Sequence, residues 1–342
     1  MTNTMIVDLQ FGSTGKGLIA GYMATKNRPD TVITANGPNS GHIFIDGEGN
    51  KVKMRQLPVG VVSPDVKRIM IGPGAIIDPI VLREEIDTYI EYIGEADIII
   101  HKNAAVVLDY DREAERDLGR IGSTQTGTGS AMLRKMARKP SEGPSTVSVA
   151  GDFEWGPDIM VVNTREWLMH FGMADRWQIE GCQGYSLSIH HGFWPYTTSR
   201  DCTPAQLVSD CGLPVNILLS TNIIGCARTY PIRVNNKTGS SGPCYDDQEE
   251  ISWADIGVEP ELTTTTHLPR RIFTFSHDQM YEALSIACPD VLFLNFANYM
   301  PAHEFNNLVD SIRYRTGFEG EIVSGHGPTI NDIQQYGGFY GS

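Results

Sequence analysis

A short apolar strand that empties into a glycine-punctuated loop with a single lysine dominates this sequence: Ile6-Val-Asp-Leu-Gln-Phe-Gly-Ser-Thr-Gly-Lys-Gly17. Glycines permit positive φ and bring successive backbone N–H groups close to an anion. The lysine adds a point charge, and a following helix adds its positive N-terminal end. Such a segment reads as a phosphate cradle at a strand–loop–helix corner. It is not the common P-loop, which keeps four residues between its first glycine and Gly-Lys and follows the lysine with Ser or Thr. Here Gln10 stands where that glycine belongs, and Gly17 follows Lys16. An ordinary corner without a ligand has a similar composition, so the loop alone does not decide.

A second loop follows the same plan. Residues 31–35 form a β-rich run that empties into Asn36-Gly-Pro-Asn-Ser-Gly-His42, a small-residue loop ending in an imidazole. Two such loops after successive strands lie side by side at the carboxyl edge of a parallel sheet, where α/β folds bind ligands. A histidine there suits an acid or charge-stabilising role, because its ordinary pKa is near neutral.

The rest of the chain keeps alternating. Residues 43–46 and 51–54 flank Gly-Glu-Gly-Asn as a hairpin. Asp78-Pro79 predicts a helix with Asp78 as its cap and the proline in its first turn, running to residue 93. Residues 96–101 read as a buried strand and 130–138 as a short basic helix. A helix at 277–287 leads into a strand at 291–296, and a last helix at 302–314 precedes a strand at 321–323. This order predicts an α/β fold with a mostly parallel sheet. The stretch 235–250, rich in Gly, Ser, Asn and acids, is expected to be a mobile surface loop. With 342 residues and no linker-like run, a single domain over 1–342 is expected.

Charge and hydropathy exclude whole classes. A formal net charge of −14 opposes a nucleic-acid partner, which needs clustered Lys and Arg, but not a free nucleotide held by local positive groups. No apolar run approaches a bilayer span and no basic-then-hydrophobic leader opens the chain, so a cytoplasmic protein without a membrane partner is expected. The six cysteines form no C-x-x-C pair, which points to reduced thiols.

Five ordered motifs resemble those of the adenylosuccinate synthetase family, along nearly the whole chain. Gly12-x-x-Gly-Lys-Gly17 with Asn39-Ser-Gly-His42 resembles its paired signature, and Ile121-Gly-Ser-Thr-Gln-Thr-Gly-Thr-Gly129 with Arg138 its substrate-phosphate loop. Glu180-Gly-Cys-Gln-Gly184 and His191-Gly-Phe-Trp-Pro-Tyr-Thr-Thr-Ser199 resemble its central signature, and Thr264-Thr-Thr-His-Leu-Pro-Arg-Arg271 its aspartate loop. The resemblance implies one large α/β domain related to P-loop NTPases, and a ligase that joins aspartate to a 6-oxopurine nucleotide. In that reaction a base removes the N1 proton, O6 takes a γ-phosphoryl group, and the aspartate amine then displaces phosphate. By the same resemblance His42, Gln183 and the position of Ser13 are catalytic. Gly12, Thr14, Gly15, Lys16 and Gly17 would hold the triphosphate with Mg²⁺, and Ser13 and the Gly41 carbonyl stand at the metal positions. Asn298, Gly327 and Pro328 fall at the base of the triphosphate. Ser13, Asn39, Ser123, Thr124, Gln183, Thr198 and Val234 would contact the substrate nucleotide, with Arg138 supplied by the neighbouring subunit of a homodimer. Thr265, Thr266 and Arg270 would grip aspartate, supported by Arg271.

Three departures sharpen the reading. Ser13 replaces the aspartate that the family uses as N1 base and metal ligand, and a serine hydroxyl does not serve as that base unaided near pH 7. Either another group takes the proton or the substrate alters the requirement. The smaller side chain also opens room where the 2-amino group of guanine would lie. Leu294-Asn-Phe-Ala-Asn298 replaces the family's Thr-Lys-Leu-Asp segment, which reads guanine in GTP. A carboxylate pairs with guanine's two adjacent donors, whereas an Asn298 amide matches adenine's N6 amine and N1, which predicts ATP or dATP. Leu268 replaces an arginine near the substrate ribose, which suits a deoxyribose. Together these changes resemble a phage branch of the family that makes N6-succino-2-amino-2'-deoxyadenylate from dGMP, L-aspartate and ATP in the host cytoplasm. The alternatives are a cellular-type enzyme using IMP and GTP, and a nucleotide-binding regulator that has lost catalysis. Retention of His42, Gln183 and the aspartate loop argues against the regulator.

Overall fold

The strand Asn3–Asp8 is buried almost throughout because it lies near the middle of a ten-stranded sheet, paired in parallel on both sides. In the computed structural model, which describes residues 3–116, 124–138, 148–236, 239–263 and 267–336, the sheet runs edge to edge as follows. Its order is Ile333–Gln335, Glu321–Gly325, Val291–Asn295, Thr221–Arg228, Asn3–Asp8, Trp177–Glu180, Thr31–Thr34, Arg68–Ile71, Asp97–His101 and Ile159–Val162. Every pairing is parallel except the last joined at the Ile333–Gln335 edge. Strands covered on both faces read as continuous apolar runs, as Val291–Asn295 does with all five residues buried. The fold is therefore α/β with a mostly parallel central sheet, as the alternation predicts.

The helix Lys16–Asn27 starts behind Gly15, whose φ of 86° ends the phosphate loop. It packs so tightly on the strand His42–Ile45 that a side chain at Gly17 would meet the backbone of Ile43, and one at Gly21 the ring of Phe44. His42–Ile45 and Lys51–Met54 form the expected hairpin, with the Asp46 carboxylate accepting the N–H groups of Glu48 and Asn50 in the turn. Asp78 caps its helix by accepting from the N–H groups of Ile80 and Val81, with Pro79 in the first turn. That helix ends at Thr88 rather than continuing to 93: Tyr89 leaves helical geometry, its hydroxyl accepts the Lys53 N–H, and a separate turn follows at Ile90–Ile93. The basic helix begins earlier than predicted, at Thr128, because Gly127 supplies the positive φ that turns the chain into it.

The stretch 235–250 is not a free surface loop among its described residues. Ser241 and Gln248 are buried, Arg233 donates to the Pro243 carbonyl, and Arg271 to that of Gly242. Among the described residues no helix is long and apolar enough to cross a membrane. All six cysteines are free thiols.

Candidate active site

Four neighbouring strands, Thr221–Arg228, Asn3–Asp8, Trp177–Glu180 and Thr31–Thr34, end at one edge of the sheet. The loops that follow them enclose a cleft of about 490 Å³. Of the residues singled out from sequence, Gly12, Ser13, Lys16, Asn39, Gly41, His42, Thr124, Gln183, Thr198, Val234 and Arg270 line it. Residues 170 positions apart in the chain, such as Ser13 and Gln183, thus face one space because their strands are sheet neighbours.

The other candidates lie elsewhere. Thr14 is buried beneath the loop, and its hydroxyl donates inward to Asp8 rather than into the cleft. Gly15 and Gly17 sit at the helix start outside the lining. Asn298, Gly327 and Pro328 are also outside it, at the carboxyl ends of the paired strands Val291–Asn295 and Glu321–Gly325. Asn298 is exposed in the turn Ala297–Tyr299. Arg138 is exposed at the end of the helix Thr128–Ala137 and does not reach its own cleft. Leu268 is absent from the lining; it pairs with Thr263 through the backbone. Ser123, Thr265 and Thr266 fall outside the described residues.

His42 is 5 % exposed, its Nδ1 has no hydrogen-bond partner, and that atom lies 4.0 Å from Glu180 Oε2. Burial, aided by the nearby Lys16 ammonium, lowers its pKa from 6.5 to about 3, so the ring is neutral near pH 7. Glu180 is held by the N–H groups of Val59 and Gly60 at 2.8 and 2.7 Å, and burial raises its pKa. Gln183 adopts a left-handed backbone at φ 60°, a conformation that aims its loop back over Gly12.

The cleft is positive within an acidic molecule. Among the described residues, Lys16, Lys53, Arg55, Arg233 and Arg270 line it against the one carboxylate of Glu115. Arg55 donates twice to the Pro38 carbonyl and so braces the loop before His42. Arg233 lies 4.6 Å over the Phe11 ring, and burial together with nearby Arg271 lowers its pKa to about 10. Arg228 carries the Ser13 carbonyl at 3.1 Å, pairs with Glu261 at 2.6 Å and stacks on Phe296 at 3.8 Å. Sequence reading missed Asp8, Lys53, Arg55, Glu115 and Arg233. The alternation of Lys51–Met54 could have exposed Lys53, because its exposed and buried residues follow period two.

Among the described residues no group of three or more His, Cys, Asp or Glu could hold a metal ion. The donors at the loop mouths are the Ser13 hydroxyl and the Gly41 carbonyl, and the space beside Gly41 is open. Two neutral oxygens fit a hard divalent cation whose remaining ligands are phosphate oxygens and water.

Comparison with known proteins matches this architecture. The adenylosuccinate synthetase family profile matches residues 5–143 and 155–337. An N6-succino-2-amino-2'-deoxyadenylate synthase of Salmonella phage PMBT28 is 42% identical, with 96% of each chain covered. Cyanophage S-2L succinoaminodeoxyadenylate synthetase, solved bound to dGMP and dATP as an energy donor, superposes with a TM-score of 0.89 at 41% identity, covering 98% of this chain and 96% of that one. Fully ligated adenylosuccinate synthetase from Plasmodium falciparum shares the fold, with a TM-score of 0.81 at 16% identity over 98% of this chain and all of its own.

Proposed function

The chain belongs to the adenylosuccinate synthetase family, and we propose that it is the ligase that joins L-aspartate to dGMP. ATP or dATP drives the reaction, and the product is N6-succino-2-amino-2'-deoxyadenylate. The observation that carries this reading is the convergence of Lys16, His42 and Gln183 on one cleft around Ser13, at the position for which the family resemblance implies a carboxylate.

The oxygen at C6 of guanine is a poor leaving group. Transfer of the γ-phosphoryl group from ATP to O6 breaks its bond to ADP, releases the N1 proton to solvent and turns O6 into a phosphate ester. The aspartate amine then attacks C6, and inorganic phosphate departs with O6. Phosphoryl transfer is mostly a matter of position and charge, which the lining supplies. Lys16 and the backbone N–H groups between Gly12 and Gly17 hold the triphosphate. His42, kept neutral by burial and Lys16, gains a proton more readily beside the negative charge of a triphosphate and then donates to the phosphoryl oxygens. Gln183 presents both a donor and an acceptor to the purine edge. Mg²⁺ is expected among the Ser13 hydroxyl, the Gly41 carbonyl and the phosphate oxygens, where it would neutralise charge on the transferring group.

Ser13 leaves space beside N1 for the 2-amino group, and the Asn298 amide suits adenine in the energy donor. Asn39, Ser123, Thr124 and Thr198 hold the phosphate of dGMP, and Val234 lies against its sugar. Arg138 completes the site of a second copy in a homodimer, and Thr265, Thr266 and Arg270 bind the carboxylates of aspartate. The whole chain acts as one catalytic domain in the cytoplasm. Incubation with dGMP, ¹⁵N-aspartate, ATP and Mg²⁺ tests the reading by mass spectrometry. A product that keeps ¹⁵N, formed with one ADP and one phosphate, is expected. No aspartate-dependent product would refute it.

A further inference from the structure

The Asp8 carboxylate has no part in this chemistry, yet it accepts four hydrogen bonds beneath the site. It ends the strand Asn3–Asp8 with its side chain fully buried. Its Oδ1 accepts the N–H groups of Gln10 at 2.8 Å and Gly12 at 3.0 Å. Its Oδ2 accepts the Thr14 hydroxyl at 2.5 Å and the Lys16 ammonium at 3.1 Å. An ionised carboxylate has about four acceptor sites, so Asp8 is saturated.

Lys16 is engaged to the same degree. Its other two N–H groups go to the carbonyls of Gly12 and Gln183, each at 3.0 Å. One buried ammonium therefore ties together the end of a strand, the phosphate loop and the loop that carries Gln183. The last two pack closely as well: any side chain at Gly184 would collide with the Asp8 carboxylate, the Gln10 carbonyl and the Gly12 N–H. Because all three donors of Lys16 are taken internally, a triphosphate reaches this ammonium only by displacing an acceptor. The contact to Asp8 is an ion pair, in which the acceptor is charged as well as the donor, whereas the two carbonyls are neutral acceptors. A carbonyl is the partner that yields, and one of the two belongs to Gln183.

We propose that Asp8 is a positioning residue for the reaction. It anchors Lys16 and, through the contact of Lys16 with the Gln183 carbonyl, couples occupation of the triphosphate site to the loop that reads the purine nucleotide. This inference rests on the reading of the cleft as a site for ATP and dGMP together.

Calorimetric titration of dGMP, with and without a non-hydrolysable ATP analogue and Mg²⁺, tests it on the wild type and on Asp8→Asn. The substitution keeps the shape, removes the charge and sets an amide donor among groups that are themselves donors. In the wild type the analogue is expected to change dGMP affinity by about 5-fold or more, a usual size for coupled sites. In Asp8→Asn both ligands still bind and the ratio falls to near one. Equal ratios in the two proteins overturn the inference, as does a ratio of one in the wild type. If neither ligand binds the wild type, the functional reading fails with it. Should Asp8→Asn not fold, amide hydrogen exchange on the wild type decides. The analogue and Mg²⁺ alone must alter exchange in residues 181–187, and unchanged exchange there overturns the link.

Discussion

His42 combines two conflicting demands: burial beside Lys16 keeps its ring neutral, whereas charge stabilisation at a phosphoryl group needs a proton. His42→Ala should lower kcat by about 10²–10³, the usual cost of one lost transition-state donor, in a phosphate-release assay. Turnover near wild type would remove its role. The same residue makes a stability prediction. Its folded pKa of about 3 lies below the ordinary 6.5, so its contribution is fully present above pH 6.5. As pH falls below that value, the unfolded chain takes up a proton that the folded one refuses, and stability declines by about 1.4 kcal/mol per unit towards pH 3. Urea unfolding at pH 8 and pH 5 should therefore show about 2 kcal/mol more loss in the wild type than in His42→Gln. Parallel losses would contradict the assignment. Ser13→Asp should shift preference away from the 2-amino purine, and unchanged discrimination between dGMP and IMP would defeat the steric argument. These residues were legible because their spacing is local. Asp8 was not, although its partners Gln10, Gly12, Thr14 and Lys16 are local, because nothing in an apolar run shows that its last side chain turns back under the loop; Arg233 was not, because its partners Phe11 and Tyr196 lie far away in the chain.

The strands that build the cleft were legible in unequal measure. Asn3–Asp8 and Thr31–Thr34 announce themselves through the glycine loops they feed. Trp177–Glu180 and Thr221–Arg228 do not, because a parallel strand covered on both faces has no alternation, and the first has only four residues to carry a pattern. Their positions follow from pairing, which only the fold reveals. The helix predicted to reach residue 93 stops at Thr88 for a similar reason: the Tyr89 hydroxyl meets Lys53 from the hairpin, a contact no helical periodicity contains. Packing at Gly17 is the most exacting element contact near the site. Gly17→Ala would press a methyl group onto the Ile43 backbone, where no side chain can swing away. A loss of about 1–3 kcal/mol in urea unfolding is expected, typical of overpacking. An unchanged midpoint would show that the helix Lys16–Asn27 yields freely.

At the scale of the whole molecule, an acidic chain of net charge −14 concentrates five cations around one cleft and leaves Arg138 outside it. The overall charge was readable from composition, but the local reversal was not, because its cations come from segments far apart in the chain, Lys53 with Arg55 at the end of one strand, Arg233 in another and Arg270 before a third. Leu133 and Met136 are 69 % and 68 % exposed on the helix Thr128–Ala137, which Arg138 follows. If Arg138 serves the neighbour, Arg138→Ala and Lys16→Ala are each nearly inactive. Dissociated and reassembled together they regain about a quarter of wild-type activity, because random pairing leaves one intact site in each mixed dimer. No recovery would contradict a shared site. The central claim is that the Ser13 form of this cleft condenses dGMP with aspartate using an adenine nucleotide. The most direct test measures aspartate-dependent phosphate release as kcat/KM for dGMP, GMP and IMP, each with ATP and with GTP. The account predicts the highest value for dGMP with ATP; a preference for IMP with GTP would contradict it.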